Sequence, residues 1–407
     1  MSNTIKTLTA GDITRKALSI LHNKLTFIKS INRQYDSRFA VVGAKNGGYL
    51  EIREPNEFTV RTGAVMDTQD VTETTTQLVV ATQKGVDVNF SSAELTLSLD
   101  DFSERILMPA MARLAAEVEK TVIDALYPYV YQFENTTFGT KPVLSDVLAC
   151  RAKLQQGLAP TGDRFALVDA LAANAIITDG KSLFHAASEI EKQYREGLLG
   201  RIAGIDFAES EMTPVHTNGS RDDTTPVTNI ALIANGDTEL VTTGIDNGAT
   251  LKAGDVFTIA DIYDVNPETK LPYPHLKQFS VTADKTCDGT DTLSITPTIY
   301  KSGAKQNCYA ATWSGSKALV FVAAGGSGPA STAYTNSLIY HKDAFTFVSA
   351  DLEMPKGVDF AAREVYDGIS LRVVRNYDIT NDKFPCRIDV LFGQKAVRPQ
   401  WAVRMCS

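Results

Sequence analysis

The chain of 407 residues has little of what chemistry usually needs: five histidines, five cysteines and two tryptophans. Its cysteines, Cys150, Cys287, Cys308, Cys386 and Cys406, are odd in number and far apart. That fits neither a disulfide framework nor the short ligand spacing of a zinc site, so they read as small buried hydrophobes in a reducing compartment. No uninterrupted apolar run of about 18 residues occurs. The start of the chain carries Lys6, Asp12, Arg15, Lys16 and Lys24, so neither a membrane span nor a targeting segment is expected. The phosphate-cradling glycine loop, the dinucleotide fingerprint, the serine nucleophile elbow and the zinc-protease helix are also missing. Gly325-Gly326-Ser327-Gly328 has no following Lys-Ser or Lys-Thr and reads as a flexible turn.

The remaining polar pairs have plain explanations. His185 and Glu189, four apart, share a helix face but lack a third ligand. Glu117 and Glu119 are two apart and point to different helix sides. Asp261 with Asp264, and Asp288 with Asp291, fall short of a calcium loop and read as solvated turns. His22, His216, His275 and His341 are isolated. Asp169 and Asp206 are the scattered carboxylates a hydrolase would have to recruit. No catalytic, cofactor-binding or metal-ligating residue is assigned.

What is present describes a large globular protein. Hydrophobic residues make up 43% and charged residues 22%, enough for a core, and the length predicts two or three units. The formal charge of −8 is uneven: residues 1–45 carry eight basic and two acidic side chains, a balance of +6 that leaves −14 for the rest. Such opposition favours attraction between copies, weakened by salt. A basic arm also suits nucleic acid, but it has no consecutive Lys/Arg tract and only Phe27, Tyr35 and Phe39 as aromatics.

Residues 9–31 predict a helix, with Ile13, Ala17, Ile20, Leu21, Leu25 and Ile28 along one face and Thr9 or Asp12 as caps. From Tyr49 to Asn89 the pattern becomes strand-like around a Thr-, Asp- and Gln-rich middle with Gly63 as a turn residue, a long hairpin. Ser98 to Tyr131 is the strongest helical stripe; Pro109 should kink it or start a second helix running to Tyr127, near 28 Å long at 1.5 Å per residue. Residues 145–156 and 170–177 predict helices around a strand at 165–168. His216 to Val227 reads as a polar linker. Strands are then expected at 230–234, 239–243, 256–259, 279–281, 293–295 and 318–323, with Pro267, Pro272 and Pro274 in a longer loop: a small β-barrel or sandwich. Strands at 340–348, 369–377, 384–392 and 397–405 resume the body, so the β module is inserted. The fold class is α+β.

This order, together with Leu99-Asp100-Asp101-Phe102-Ser103-Glu104-Arg105-Ile106-Leu107, Phe184-His185-Ala186, Leu199 to Asp206 and Leu251-Lys252-Ala253-Gly254-Asp255-Val256-Phe257, resembles the major capsid proteins of tailed bacteriophages with the HK97-like fold, especially the P22-like coat protein family. The resemblance implies an N-terminal arm at 1–45, an extended hairpin (E-loop) region at 46–95 and a peripheral domain with a spine helix at 96–139. It implies an axial domain beginning at 140–219, an inserted β-barrel-like domain at 220–333, and closing axial and peripheral strands at 334–407. It also implies a structural role without cofactor: hexamers and pentamers in an icosahedral shell in the virion, assembled in the host bacterial cytoplasm. Partners would be a scaffolding protein, a portal protein and packaged double-stranded DNA held non-specifically, with decoration or tail proteins as further contacts and no membrane. Covalent Lys–Asn crosslinking, used by some HK97-like shells, has no assignable residues here. Arm and hairpin, whose apolar residues have little obvious internal core, are expected to pack on neighbouring subunits. The alternative from another class is a glycan- or cell-surface-binding protein with a β recognition module.

Overall fold

The computed structural model describes residues 10–35, 49–58, 60, 63–66, 68, 74–91, 108–134, 140–180, 200–221, 226–321, 331–381 and 383–406. The expectations for Thr9, for 98–107, for His185 with Glu189 and for Gly325 to Gly328 lie outside these residues. The chain forms two compact units. The first takes the described residues of 1–53, 75–122 and 345–395, the second those of 54–74, 123–344 and 396–407.

The first unit is built on a six-stranded sheet in the order Asn32–Tyr35, Phe345–Ala350, Lys383–Ala396, Ile369–Arg375, Phe360–Tyr366, with Thr82–Ser91 also paired to Lys383–Ala396. The first pairing is parallel. Asp367 and Gly368, at φ 50° and 77°, turn Phe360–Tyr366 into Ile369–Arg375, as a two-residue hairpin loop demands.

Residues 10–35 pack into this unit. A helix spans Ala10–Lys24, stops, and resumes for one turn at Phe27–Ser30. Ala17, Leu18, Leu21, Leu25, Phe27, Ile28 and Ile31 are all at most 2% exposed, and the helix lies on Phe360–Tyr366 and Ile369–Arg375. The single helix over 9–31 and the expectation that this segment seeks cover on a neighbour are both corrected. The physical reason is Glu119, whose buried carboxylate accepts the Thr26 N–H at 2.8 Å and the Phe27 N–H, two donors that a restarting helix leaves unpaired.

The long helix is Met108–Leu126. Pro109 sits in the first turn of this described span, where a missing amide costs little. Met111, Leu114, Ala115, Val118, Val122, Ile123 and Leu126 form its buried stripe.

The second unit holds a seven-stranded sheet ordered Phe133–Glu134, Ala402–Cys406, Ala333–His341, Arg164–Val168, Ile205–Glu209, Arg201–Ile202, with Val215–Thr217 also paired to Ala333–His341. Helices Leu144–Gln156 and Ala170–Gly180 cover one face through Val147, Leu154, Ala173 and Ile176 against Ile339, Val403 and Met405. The chain leaves this sheet after Val215–Thr217 and returns at Ala333–His341, the two paired with each other. Between them lies a β-barrel. Its strand order is Pro272–Val281, Thr290–Ile299, Asp237–Thr243, Val227–Asn229, Ser316–Phe321, Val256–Val265, and the last pairs with the first to close the ring; Cys308–Tyr309 flanks it. Phe257, Ile259, Phe279, Val281, Leu293 and Leu319 fill the interior.

Three local expectations are corrected. Residues 230–234 form a turn, and the strand is Val227–Asn229 just before them. Pro272 and Pro274 lie in a strand, because Val256–Val265 and Pro272–Val281 make a long hairpin whose register shifts twice and so tolerates missing amide donors. The strand over 340–348 is broken by a turn of 3-10 helix at Lys342–Ala344.

Candidate assembly surface and buried polar seam

The hairpin pairs Tyr49–Arg53 with Thr75–Val79. At its root Leu50, Ile52, Leu78 and Val80 rest on Val348, Ala350 and Leu391. The seat requires Gly393: a Cβ there would lie 2.2 Å from the Val79 carbonyl oxygen. Beyond the root the apolar residues lose their cover. Phe58, Val60, Val65 and Met66 are 59, 96, 85 and 77% exposed, which makes this stretch the candidate interaction surface.

A second feature, invisible as a motif, joins the barrel to the sheet of the second unit. Asp255 is fully buried. It accepts from His216 Nε2 at 2.9 Å, from Arg221 Nη2, and from the backbone amides of Lys252 at 2.9 Å and Gly219 at 3.3 Å. Burial opposes this carboxylate, but the His216 hydrogen bond and the Arg221 charge outweigh it and hold the carboxyl at about 2. Because the carboxylate only accepts, His216 Nε2 carries the proton, and Nδ1 accepts from the Tyr127 hydroxyl at 3.2 Å. Burial lowers the His216 pKa and raises that of Tyr127, which keeps the imidazole neutral and the phenol protonated. Gly254, at φ 102°, lets the turn approach: a Cβ would sit 3.0 Å from the Tyr127 ring and 3.1 Å from His216. Arg404 reaches across to the Gly254 carbonyl at 2.8 Å and the Ser280 hydroxyl at 3.2 Å. The supposed linker after His216 is therefore corrected: His216, Asn218 and Arg221 are buried.

The other residues weighed from sequence do not converge. Glu117 pairs at the surface with Lys84 at 2.9 Å, while Glu119 points the other way into the core and burial raises its pKa. His22 meets Asp367 at 2.8 Å. His341 accepts the Asp343 amide at 3.2 Å and packs edge-on against Trp401. Asp261 is a surface partner of Lys317, but Asp264 and Asp291 are corrected from solvated turns. Lys277, itself buried, donates to Asp264 at 2.7 Å and His275 lies 3.6 Å away. Burial works against the Asp264 carboxylate, yet Lys277 and His275 hold it at about 2. Asp291 is 1% exposed and accepts the Asp288 amide. Asp169 ends the strand Arg164–Val168, whereas Asp206 pairs with Phe165 at its other end, roughly 13 Å away along the strand at 3.3 Å per residue. Among the described residues no His, Cys, Asp or Glu side chains group as a metal site, no disulfide forms, and no helix is long and apolar enough to cross a membrane.

Among solved structures, one from Mycobacterium phage Che8 is 12% identical, covers 94% of this chain and 90% of that one, and has a TM-score of 0.46. The capsid of cyanophage P-SCSP1u is 9% identical with coverages of 94% and 88% and a TM-score of 0.46. The mature capsid of bacteriophage PhiM1 is 10% identical with coverages of 94% and 86% and a TM-score of 0.46. At such scores these similarities carry no weight in the assignment. No curated protein sequence matches the chain. The family model described as P22 coat protein, gene protein 5, matches residues 22–406. Nearly the whole chain is thereby accounted for, barrel included, and the protein belongs to the P22 coat protein family.

Proposed function

We propose that this chain is the repeating subunit of an icosahedral bacteriophage head, a structural protein of the virion with no turnover of its own. The family match over 22–406 carries the reading, and the uncovered apolar hairpin tip supports it. In this reading the chain has an HK97-like layout. The long helix is the spine of a peripheral domain, the hairpin is the extended loop, the sheet with Leu144–Gln156 and Ala170–Gly180 is the axial domain, and the barrel is an inserted domain. Subunits form hexamers and pentamers, and closed symmetry limits growth of self-complementary surfaces. The hairpin tip meets a neighbouring subunit, where modest contacts repeated over a large area suffice for a durable shell.

Assembly in the host cytoplasm with a scaffolding protein and a portal protein, followed by packaging of double-stranded DNA without sequence reading, completes the proposal. Negative-stain microscopy of the full chain, with and without a co-expressed scaffold, tests it. Closed particles of uniform diameter are expected. A monomer under every salt condition, with no particles even beside a scaffold, would contradict it.

A further inference from the structure

The seam between the barrel and its neighbouring sheet carries an unbalanced charge. Arg221 and Arg404 are 6% and 0% exposed. Asp255 accepts from Arg221, but the hydrogen-bond acceptors of Arg404 are the neutral Gly254 carbonyl and Ser280 hydroxyl. The Tyr127 and Phe133 rings lie 5.9 Å from its guanidinium. Among the described residues the remaining titratable neighbours do not restore the balance. His216 is neutral, and the Tyr127 and Tyr334 phenols keep their protons because burial raises their pKa values. Lys252 and Asp284 neutralise each other at the surface, 2.7 Å apart. Two buried guanidinium groups thus face one carboxylate, and a buried charge without compensation is expensive.

The unused hydrogen-bonding capacity lies in the same neighbourhood. Arg221 Nε and Nη1 and Arg404 Nε are buried with no acceptor. Both guanidinium groups act electrostatically on Tyr334 and on one another. Asn336 is fully buried, and its side-chain amide has no partner at either end. By register Asn336 opposes Cys406 while Leu338 opposes Arg404, so Asn336 and Arg404 stand on one face of adjacent strands.

We propose that this seam binds a small monovalent anion of the halide class, held by Arg221, Arg404 and the Asn336 amide. The anion supplies the missing negative charge and occupies donors that have no other acceptor. It thereby ties the barrel to the sheet through residues of both.

Thermal unfolding of the full-length subunit in sodium chloride and in sodium gluconate at equal ionic strength tests this. Gluconate is too bulky for a closed seam. The midpoint should be several degrees higher in chloride and rise with the logarithm of its concentration, as linkage requires. Asn336→Asp, which adds a negative charge, and Arg221→Gln, which removes a positive one, should each abolish the difference between the salts. Overlapping wild-type melts would overturn the proposal, as would a chloride effect that persists undiminished in both variants. Should neither variant fold, chloride NMR line broadening by the wild-type subunit, relieved by bromide, is expected; its absence would equally overturn the proposal.

Discussion

Residues 10–35 and the hairpin at 49–79 are both apolar on one side and both lie early in the chain, yet they end in opposite states. Leu18, Leu21, Phe27 and Ile28 are at most 1% exposed, while Val60, Val65 and Met66 are at least 77% exposed. The difference is one of available partners, not of hydrophobicity. The broken N-terminal helix has a sheet beneath it and the Glu119 carboxylate to receive its restarting amides. A two-stranded ribbon offers two faces and is marginal alone; here the root finds apolar cover over Val348 and Ala350, while Val60, Val65 and Met66 stay exposed. Apolar groups near a terminus are thus sealed within the subunit, while those of the hairpin tip stay exposed and are the candidates for assembly contacts.

The comparison breaks most easily on its sealed side. Phe27→Ala removes a fully buried ring that packs 5.8 Å from Phe345. It should destabilise the subunit by about 3–5 kcal/mol in urea unfolding, with assembly lost only as folding is lost. A smaller effect is expected at the hairpin root. Gly393→Val would drive a side chain into the Val79 carbonyl and should cost about 1–3 kcal/mol. Proteolysis should then cut first near residues 49–79.

Acid sharpens the contrast within the second unit. The folded-state pKa of His216 is pushed below its ordinary 6.5, so the unfolded chain binds the proton first. Stability from this site is complete above pH 6.5 and declines as pH falls below it toward the folded value. His216→Gln should flatten that part of the profile, read as denaturation midpoint against pH. The Asp255 contribution is complete above the ordinary carboxyl value of 3.8, declines as pH falls below it and is gone once pH has passed through about 2.

Periodicity made some of this legible and hid the rest. The stripe from Met111 to Leu126 repeats every three or four residues, so its buried face is readable. Short strands separated by Gly-Asp and Asn-Gly turns likewise announce the barrel. The break after Leu25 is not readable, because the carboxylate that creates it lies 93 residues away. His216, Asn218 and Arg221 read as linker because such residues are usually solvated; the fold buries them by bringing Asp255 against them. One missed signal was local: Asp367-Gly368 between Phe360–Tyr366 and Ile369–Arg375 is a two-residue hairpin sequence, and Asp367 then anchors His22 and Arg33.

The most direct test of the contrast is Val60→Ser with Met66→Ser in the full chain, followed by both urea unfolding and light scattering under assembly conditions. The subunit's unfolding free energy should change by no more than about 0.5 kcal/mol, while the yield of closed particles should collapse. Undiminished particle formation by a stable variant would show that the exposed hairpin tip is not an assembly surface.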